Sequence, residues 1–200
     1  MADNTATRQT RGHGLLEPML ARLRANMANH LIPDHLRTGK ILDIGCGSYP
    51  YFLSRTHFEE KYAIDQLDVT SETLGIKGQS LDLNKTPQLP YEDNYFQIVT
   101  MLAVVEHLDP TSMELLFKDI HRVLAPGGMV IMTTPSGWTD PLLKTMARLN
   151  LVSAEEIDEH AYAYTLPLLG WYLGRGGFDM TKVNFGYFEM RMNMWATASK

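Results

Sequence analysis

The sequence contains a single cysteine, Cys46, among 200 residues. One cysteine excludes an internal disulfide and a cysteine-rich zinc site. Long apolar runs are also missing, because no stretch approaches the roughly 20 residues that a membrane-spanning helix needs. The first residues lack a basic segment followed by an apolar core, so no secretion signal is expected. These absences predict a cytoplasmic protein without a membrane span.

An excess of positive charge is missing as well. The chain has 18 Lys and Arg residues against 23 Asp and Glu residues, which gives a formal net charge of -5. Its basic residues are scattered singly, and the overall field would repel a polyanion, so nucleic acid is not an expected partner. What remains is 44% hydrophobic and 20% charged residues, which is the balance of one globular domain of ordinary size.

The pattern of apolar residues divides the chain into a tail and one domain. Residues 1–14 are polar and show no apolar periodicity, so we predict a disordered tail. Residues 15–200 form the predicted domain, which starts with an N-terminal helix within 15–38. Apolar residues recur there at helical spacing up to Pro33. Residues 137–164 break the pattern with turn signals and an acidic run, and we interpret them as an inserted cover over the substrate site.

Strand-like and helix-like patterns alternate through the rest of the domain. Predicted helices cover 111–124, which stops at a Pro-Gly-Gly sequence, a stretch around 142–151, and 167–174. Predicted strands cover 40–44, 61–64, 79–83, 97–102, 129–134, 182–189 and 190–198. The last two strands follow each other too closely to be parallel. The order predicts an α/β fold, a Rossmann-like, mostly parallel sheet with a terminal antiparallel hairpin, helices on both faces and ligands at the carboxyl ends of the strands.

The segment KILDIGCGS, residues 40–48, carries the clearest functional signal. A buried-strand pattern brings Asp43 to the end of the strand, and Gly45 and Gly47 follow it. Without Cβ atoms, the backbone N–H groups of this turn come within hydrogen-bond reach of a ligand. The pattern predicts a site for a nucleoside-like cofactor. A G-x-G-x-x-G fingerprint that starts at Gly45 would need glycine where Pro50 stands, which argues against a nicotinamide-dinucleotide enzyme.

Later segments follow this turn in a recognisable order. They are Asp65, Leu81-Asp82-Leu83, Leu89-Pro90 with Asp93, Phe96-Gln97-Ile98-Val99, Val105-Glu106-His107-Leu108, Val123 to Gly128 and Gly176-Gly177-Phe178. In this order the chain resembles the class I S-adenosylmethionine-dependent methyltransferases, in particular the small-molecule group with a type 11-like domain. The resemblance covers residues 40–198. It implies a seven-stranded sheet, S-adenosyl-L-methionine as cofactor, and methyl transfer to an oxygen or nitrogen of a small-molecule acceptor.

The resemblance also implies a cofactor site. Asp43 would accept from the amino group of the methionine part, Asp65 would accept from the ribose hydroxyls, and Asp82 would accept from the adenine amine. Asp82 also stands in an ordinary turn sequence, and the end of the fourth strand also suits core packing. The implied cofactor residues are Asp43, Gly45, Cys46, Gly47, Asp65, Gln66, Asp82, Leu83, Met101 and Ala103.

The acceptor side is less patterned. His107 and His160 are the candidate general bases, since histidine exchanges protons near neutral pH. Capping or packing is the alternative role for each. The implied substrate contacts are Tyr49, His107, Trp138, His160, Tyr162 and Tyr164, and no metal site is expected. Exposed apolar positions on the first helix favour a homodimer. Two other functions stay open, a non-catalytic cofactor-binding or interaction protein and a nucleotide-dependent oxidoreductase.

Overall fold

The computed structural model describes residues 16–69, 74–139, 145–146, 152 and 164–200. These residues form a seven-stranded sheet in the order β3-β2-β1-β4-β5-β7-β6. The strands are β1 Lys40–Ile44, β2 Glu60–Asp65, β3 Ile76–Ser80, β4 Phe96–Leu102, β5 Leu124–Pro135, β6 Val183–Phe188 and β7 Asn193–Ser199. The longer described helices are α1 Glu17–Leu31, α2 Pro110–Val123 and α3 Leu166–Arg175.

The pairing of the strands confirms the predicted mixed sheet. Strands β3, β2, β1, β4 and β5 pair in parallel, and β7 is antiparallel to both β5 and β6. The chain moves outward from β1 to β3 and then returns to place β4 on the other side of β1. This reversal leaves a crevice at the carboxyl ends of β1 and β4, which is where parallel sheets bind ligands.

Helices cover both faces of the sheet. Successive side chains of a strand point to opposite faces, so Ile41 packs in one cluster with Ala25 and Ala28 of α1. Its neighbour Leu42 packs in the other cluster, which contains the apolar side of α2. The buried residues of α2 recur every three or four positions, as the sequence predicts. Within the described residues, no helix has the length and apolarity to cross a membrane.

Two predicted boundaries are wrong. The third strand lies at Ile76–Ser80, not at 79–83, because it is an edge strand in which only Ile76 is buried, so the pattern was weak. The helix α2 ends at Val123, and β5 already begins at Leu124, so the Pro-Gly-Gly sequence lies inside a strand. Backbone pairing with the end of the chain supports this extension, since Lys200 N donates to Gly128 O at 2.9 Å.

The remaining expectations about chain organisation lie largely outside the described residues. This holds for the tail 1–14, for all but two residues of the helix around 142–151, and for most of the cover 137–164. The N-terminal helix is described, and it spans Glu17–Leu31 within the predicted range of 15–38.

Candidate functional site

A cavity of about 400 Å³ opens at the carboxyl ends of β1, β2 and β4. The residues that follow these three strands form most of its wall. Residues 81–84, beyond β3, and residues on one side of α1 complete it. The cavity therefore lies at the crevice that the strand order creates.

The turn after β1 depends on its two glycines. Gly45 has φ +74° and Gly47 has φ +70°, a region that side-chain-bearing residues rarely occupy. Gly45 N donates to Ile64 O at 2.7 Å, which holds the turn against β2. A Cβ atom on Gly45 would overlap the Val104 side chain. The turn therefore brings bare backbone to the cavity wall.

Asp43 is a buried carboxyl on that wall. Its Oδ1 accepts a hydrogen bond from Thr100 Oγ1 at 2.6 Å. Burial raises the pKa of Asp43 from 3.8 to about 7, the Thr100 bond opposes this rise, and the nearby Asp65 charge adds to it. A cation bound in the cavity beside Asp43 would favour its ionised form.

Asp65, at the end of β2, braces the glycine turn from the opposite side. Its Oδ2 accepts from Gly47 N at 2.8 Å, and its Oδ1 accepts from Leu67 N at 3.0 Å. Asp65 also lines the cavity. It thus orders the turn and borders the space that a ligand would occupy.

Residues 82–84 connect β3 to the stretch after β4. Asp82 pairs with Lys85 at 2.8 Å, and the hydrogen bond from Lys85 holds the pKa of Asp82 below its usual value. Asn84 Nδ2 donates to His107 O at 3.0 Å, and Asn84 Oδ1 accepts from Asp109 N at 2.9 Å. These bonds fix the position of one cavity wall relative to the other.

The stretch after β4 supplies the third wall. Ala103 adopts φ +58° although it carries a side chain, and its N donates to Thr133 O of β5 at 2.9 Å. Glu106 follows in a short 3-10 turn and is only 2% exposed. Its Oε2 accepts from Thr134 Oγ1 at 3.0 Å, whereas its Oε1 has no hydrogen-bond partner among the described residues. His107 is half-buried and also lines the cavity.

One side of α1 faces the cavity, and none of its lining residues is among the site residues predicted from the sequence. Its cavity-lining residues are Glu17, Leu20, Ala21 and Arg24. Burial raises the pKa of the half-buried Glu189, and the charge of Arg24 opposes this rise. The helical periodicity predicted an amphipathic helix, but periodicity alone does not distinguish a face that packs on the sheet from one that borders a cavity.

The structure brings nine of the ten predicted cofactor residues to the cavity. They are Asp43, Gly45, Cys46, Gly47, Asp65, Gln66, Asp82, Leu83 and Ala103. The tenth, Met101, is fully buried in β4 and packs in the core with α2 instead of lining the cavity. Side chains alternate along a strand, and the residues that line the cavity here are the next ones, Leu102 to Val104.

Few of the predicted acceptor contacts line the cavity. Only His107 of the described ones lines the cavity. Tyr49 is half-buried elsewhere in the turn, and Trp138 is 59% exposed, with its Nε1 donating to Arg191 O at 3.1 Å. Tyr164 is buried, and its hydroxyl donates to Leu108 O at 3.4 Å. His160 and Tyr162 lie outside the described residues.

Comparisons with known proteins agree with this geometry. A family model described as a methyltransferase domain matches residues 15–183. The chain is 28% identical over 131 residues to a demethylmenaquinone methyltransferase of Staphylococcus haemolyticus, which covers 60% of this chain and 54% of that protein. It is 30% identical over 119 residues to the protein of the same name from Staphylococcus epidermidis, which covers 55% of this chain and 48% of that protein. The chain thus spans about half the length of the curated relatives it matches.

The fold has a solved counterpart that covers nearly the whole chain. The crystal structure of an S-adenosylmethionine-dependent methyltransferase from Archaeoglobus fulgidus superposes with a TM-score of 0.67. The match covers 90% of this chain and 94% of the other, at 15% sequence identity. At that identity the likeness concerns the architecture of the sheet and its helices.

Proposed function

The chain belongs to the class I S-adenosylmethionine-dependent methyltransferases, and on that premise we propose that it moves a methyl group to an oxygen or nitrogen atom of a small-molecule acceptor. One observation carries the proposal. A single cavity joins the glycine turn and its two buried carboxyl groups, Asp43 and Asp65, to the polar residues Glu106 and His107. A cofactor and an acceptor can therefore meet in one cavity.

The residues present fit the cofactor. Gly45 and Gly47 have positive φ and line the cavity, so the bare backbone of this turn would lie against the methionine part of the cofactor. The Asp43 carboxyl, with a pKa raised to about 7, suits a cationic amino group, whose charge would bring that pKa down. The carboxylate of Asp65, which borders the cavity, would accept from the ribose hydroxyls. Gln66, Asp82 and Leu83 would border the rest of the nucleoside.

S-adenosylmethionine supplies, when bound, a methyl group on a sulfonium that is a good leaving group. The contribution of this chain is then mainly to hold the acceptor in line and to keep water away. Leu20 of α1, Leu108, Pro135 and Val152 give the cavity, which Glu106 also lines, part of its apolar surface. An acceptor with an apolar body and one hydroxyl or amine fits such a surface.

Cofactor binding is the first test. Isothermal titration with S-adenosylhomocysteine should detect binding to the wild type, and Asp65→Asn should weaken it by tenfold or more, which is about 1.4 kcal/mol. The matched control is Asp68→Asn, because Asp68 is exposed in the same connection and is not one of the described cavity residues. No binding by the folded wild type at millimolar ligand would contradict the proposal.

Methyl transfer is the second test. Formation of S-adenosylhomocysteine should be followed with a panel of apolar alcohols, phenols and amines. A naphthoquinol belongs in the panel because the curated relatives are named for demethylmenaquinone. Turnover with hydroxyl or amine acceptors would support the proposal. Methylation only at a ring carbon or a thiol would contradict the proposal that the acceptor atom is oxygen or nitrogen.

A further inference from the structure

Glu106 is a buried carboxyl group with one oxygen unmatched. The residue is 2% exposed and lines the cavity. Its Oε2 accepts from the Thr134 hydroxyl, and its Oε1 has no hydrogen-bond partner in the part of the chain that the structure describes. Leaving a buried polar atom without a partner costs free energy, so an unmatched carboxyl oxygen on a cavity-lining residue is a candidate partner for a ligand group.

The other unmatched buried side-chain atoms have a different explanation. They are Arg24 Nε, Thr133 Oγ1 and Glu189 Oε1. Arg24 and Glu189 carry opposite charges and attract each other. Thr133 is neutral, so its cost is smaller than that of a carboxylate. Among the described residues Glu106 forms no ion pair. Of the residues with an unmatched buried atom, it is the one that has a carboxyl group and lines the cavity.

The backbone and a neighbouring strand hold Glu106 in place. The 3-10 turn Val105–His107 follows β4 directly, and His107 N donates to Val104 O at 3.0 Å. Thr134, which fixes Oε2, belongs to β5 and is itself buried. A carboxylate fixed at one oxygen presents the other in a defined direction, and a group held in this way loses little freedom when a ligand binds.

We propose that Glu106 Oε1 accepts a hydrogen bond from the reacting hydroxyl or amine of the methyl acceptor and takes up its proton. This inference rests on the proposed function and narrows it to acceptors that carry O–H or N–H at the reacting atom. The oxygen or nitrogen forms the bond to the methyl carbon, the carbon–sulfur bond breaks, and its electron pair stays on sulfur. The proton passes to Oε1 and leaves to solvent after the products dissociate.

The central experiment is Glu106→Gln with Glu92→Gln as matched control, because Glu92 is exposed in the turn before β4. Glutamine has the same shape and can still accept from Thr134, but it cannot take up a proton. We expect a fall in kcat/KM of a hundredfold or more, the usual scale for loss of a general base. S-adenosylhomocysteine affinity should stay within about twofold, and the urea midpoint of the ligand-free protein should not fall, since glutamine keeps the side-chain volume and the hydrogen bond from Thr134.

A second pair of variants tests the positioning of the carboxylate. Thr134→Val removes the hydroxyl that fixes Oε2 and should lower kcat about tenfold, and Thr134→Ser should restore it. If Thr134 had a purely structural role, the kcat of each variant would fall in proportion to its loss of stability. Rescue by serine together with an unchanged urea midpoint would support the inference.

The outcomes separate this inference from the proposed function. If the wild type methylates a hydroxyl or amine and Glu106→Gln keeps its kcat/KM within threefold, Glu106 is not the base and only this inference fails. Loss of S-adenosylhomocysteine binding or a lower urea midpoint in Glu106→Gln would also overturn it, because the residue would then serve the cofactor or the fold. A wild type that binds the cofactor but methylates no hydroxyl or amine would overturn the proposed function as well.

Discussion

Replacing Asp43 with asparagine should stabilise the ligand-free protein near and above neutral pH, although the residue lines the cavity proposed for the cofactor. The reason is its raised pKa, about 7 in the folded protein against a usual value of 3.8. The folded state therefore holds this proton more tightly than the unfolded chain does. The contribution of Asp43 to stability is most favourable below the unfolded pKa, falls as pH rises through the window from 3.8 to about 7, and is constant above it.

The size of the effect follows from the shift. At about 1.4 kcal/mol per pKa unit, ionised Asp43 costs the folded state about 4 kcal/mol at pH 8, and about 3 kcal/mol of this appears between pH 5 and pH 8. Asparagine does not titrate, and its side-chain oxygen can still accept from Thr100. The variant should therefore gain about 3 kcal/mol on the wild type over that range.

The assay is urea unfolding of wild type and Asp43→Asn, without cofactor, at several values between pH 5 and pH 8. Only the difference between the two proteins matters, because the titration of other groups is common to both. The control Asp68→Asn changes an exposed carboxylate and should differ from wild type by a constant amount. If the difference between Asp43→Asn and wild type is equally constant, the buried carboxyl does not titrate in this window and the reasoning is wrong.

The same variant should lose affinity for S-adenosylhomocysteine. In the wild type, binding of a cationic amino group beside Asp43 would favour ionisation and release a proton below about pH 7. Titration calorimetry in two buffers of different ionisation enthalpy measures that release, which Asp43→Asn should abolish.

Two glycine positions give further predictions. Gly45→Ala should destabilise the protein by roughly 1–3 kcal/mol because its Cβ would overlap Val104 in a left-handed backbone, and Val104→Ala should recover part of the loss in urea unfolding. Gly186→Ala should cost roughly 1–3 kcal/mol through overlap with the Trp195 ring across the β6–β7 pair, whereas Gly174→Ala, whose Cβ would make ordinary contact, should be neutral or slightly stabilising. Equal melting temperatures for Gly186→Ala and Gly174→Ala would contradict this prediction, because the Trp195 ring would then move aside at little cost in free energy.

The parts of the fold that could be predicted are those with a strong local pattern. Strand β1 was placed at its observed bounds, since four of its five residues are buried and Asp43 and the glycines mark its end. The bounds of β3 were not readable because an edge strand with one buried residue has no alternation to detect. The Pro-Gly-Gly sequence usually ends an element, but here pairing of Gly128 with Lys200, 72 residues later, keeps it in a strand.

The cavity lining around the glycine turn could be predicted from sequence, because its residues stand at strand ends within a short, ordered turn. The lining after β4 is harder to predict, because its side chains form hydrogen bonds with residues far away in the sequence. Glu106, in the 3-10 turn after β4, accepts from Thr134 of β5, and no local pattern predicts that its other oxygen has no partner among the described residues. Likewise, the place of Arg24 at the cavity depends on how α1 lies across β4 and β5.

The hydrogen bonds that Asp65 accepts from Gly47 N and Leu67 N limit how this protein can be re-engineered. A common strategy for labelling methyltransferase products pairs an enlarged cofactor analogue with an enzyme in which a pocket side chain has been cut back. Cutting back Asp65 would release Gly47 and Leu67 at the same time, so space for the analogue would come with a loosened turn. Gln66 borders the same cavity and is exposed, so a library that varies Gln66 and leaves Asp65 intact separates analogue selectivity from loss of folding.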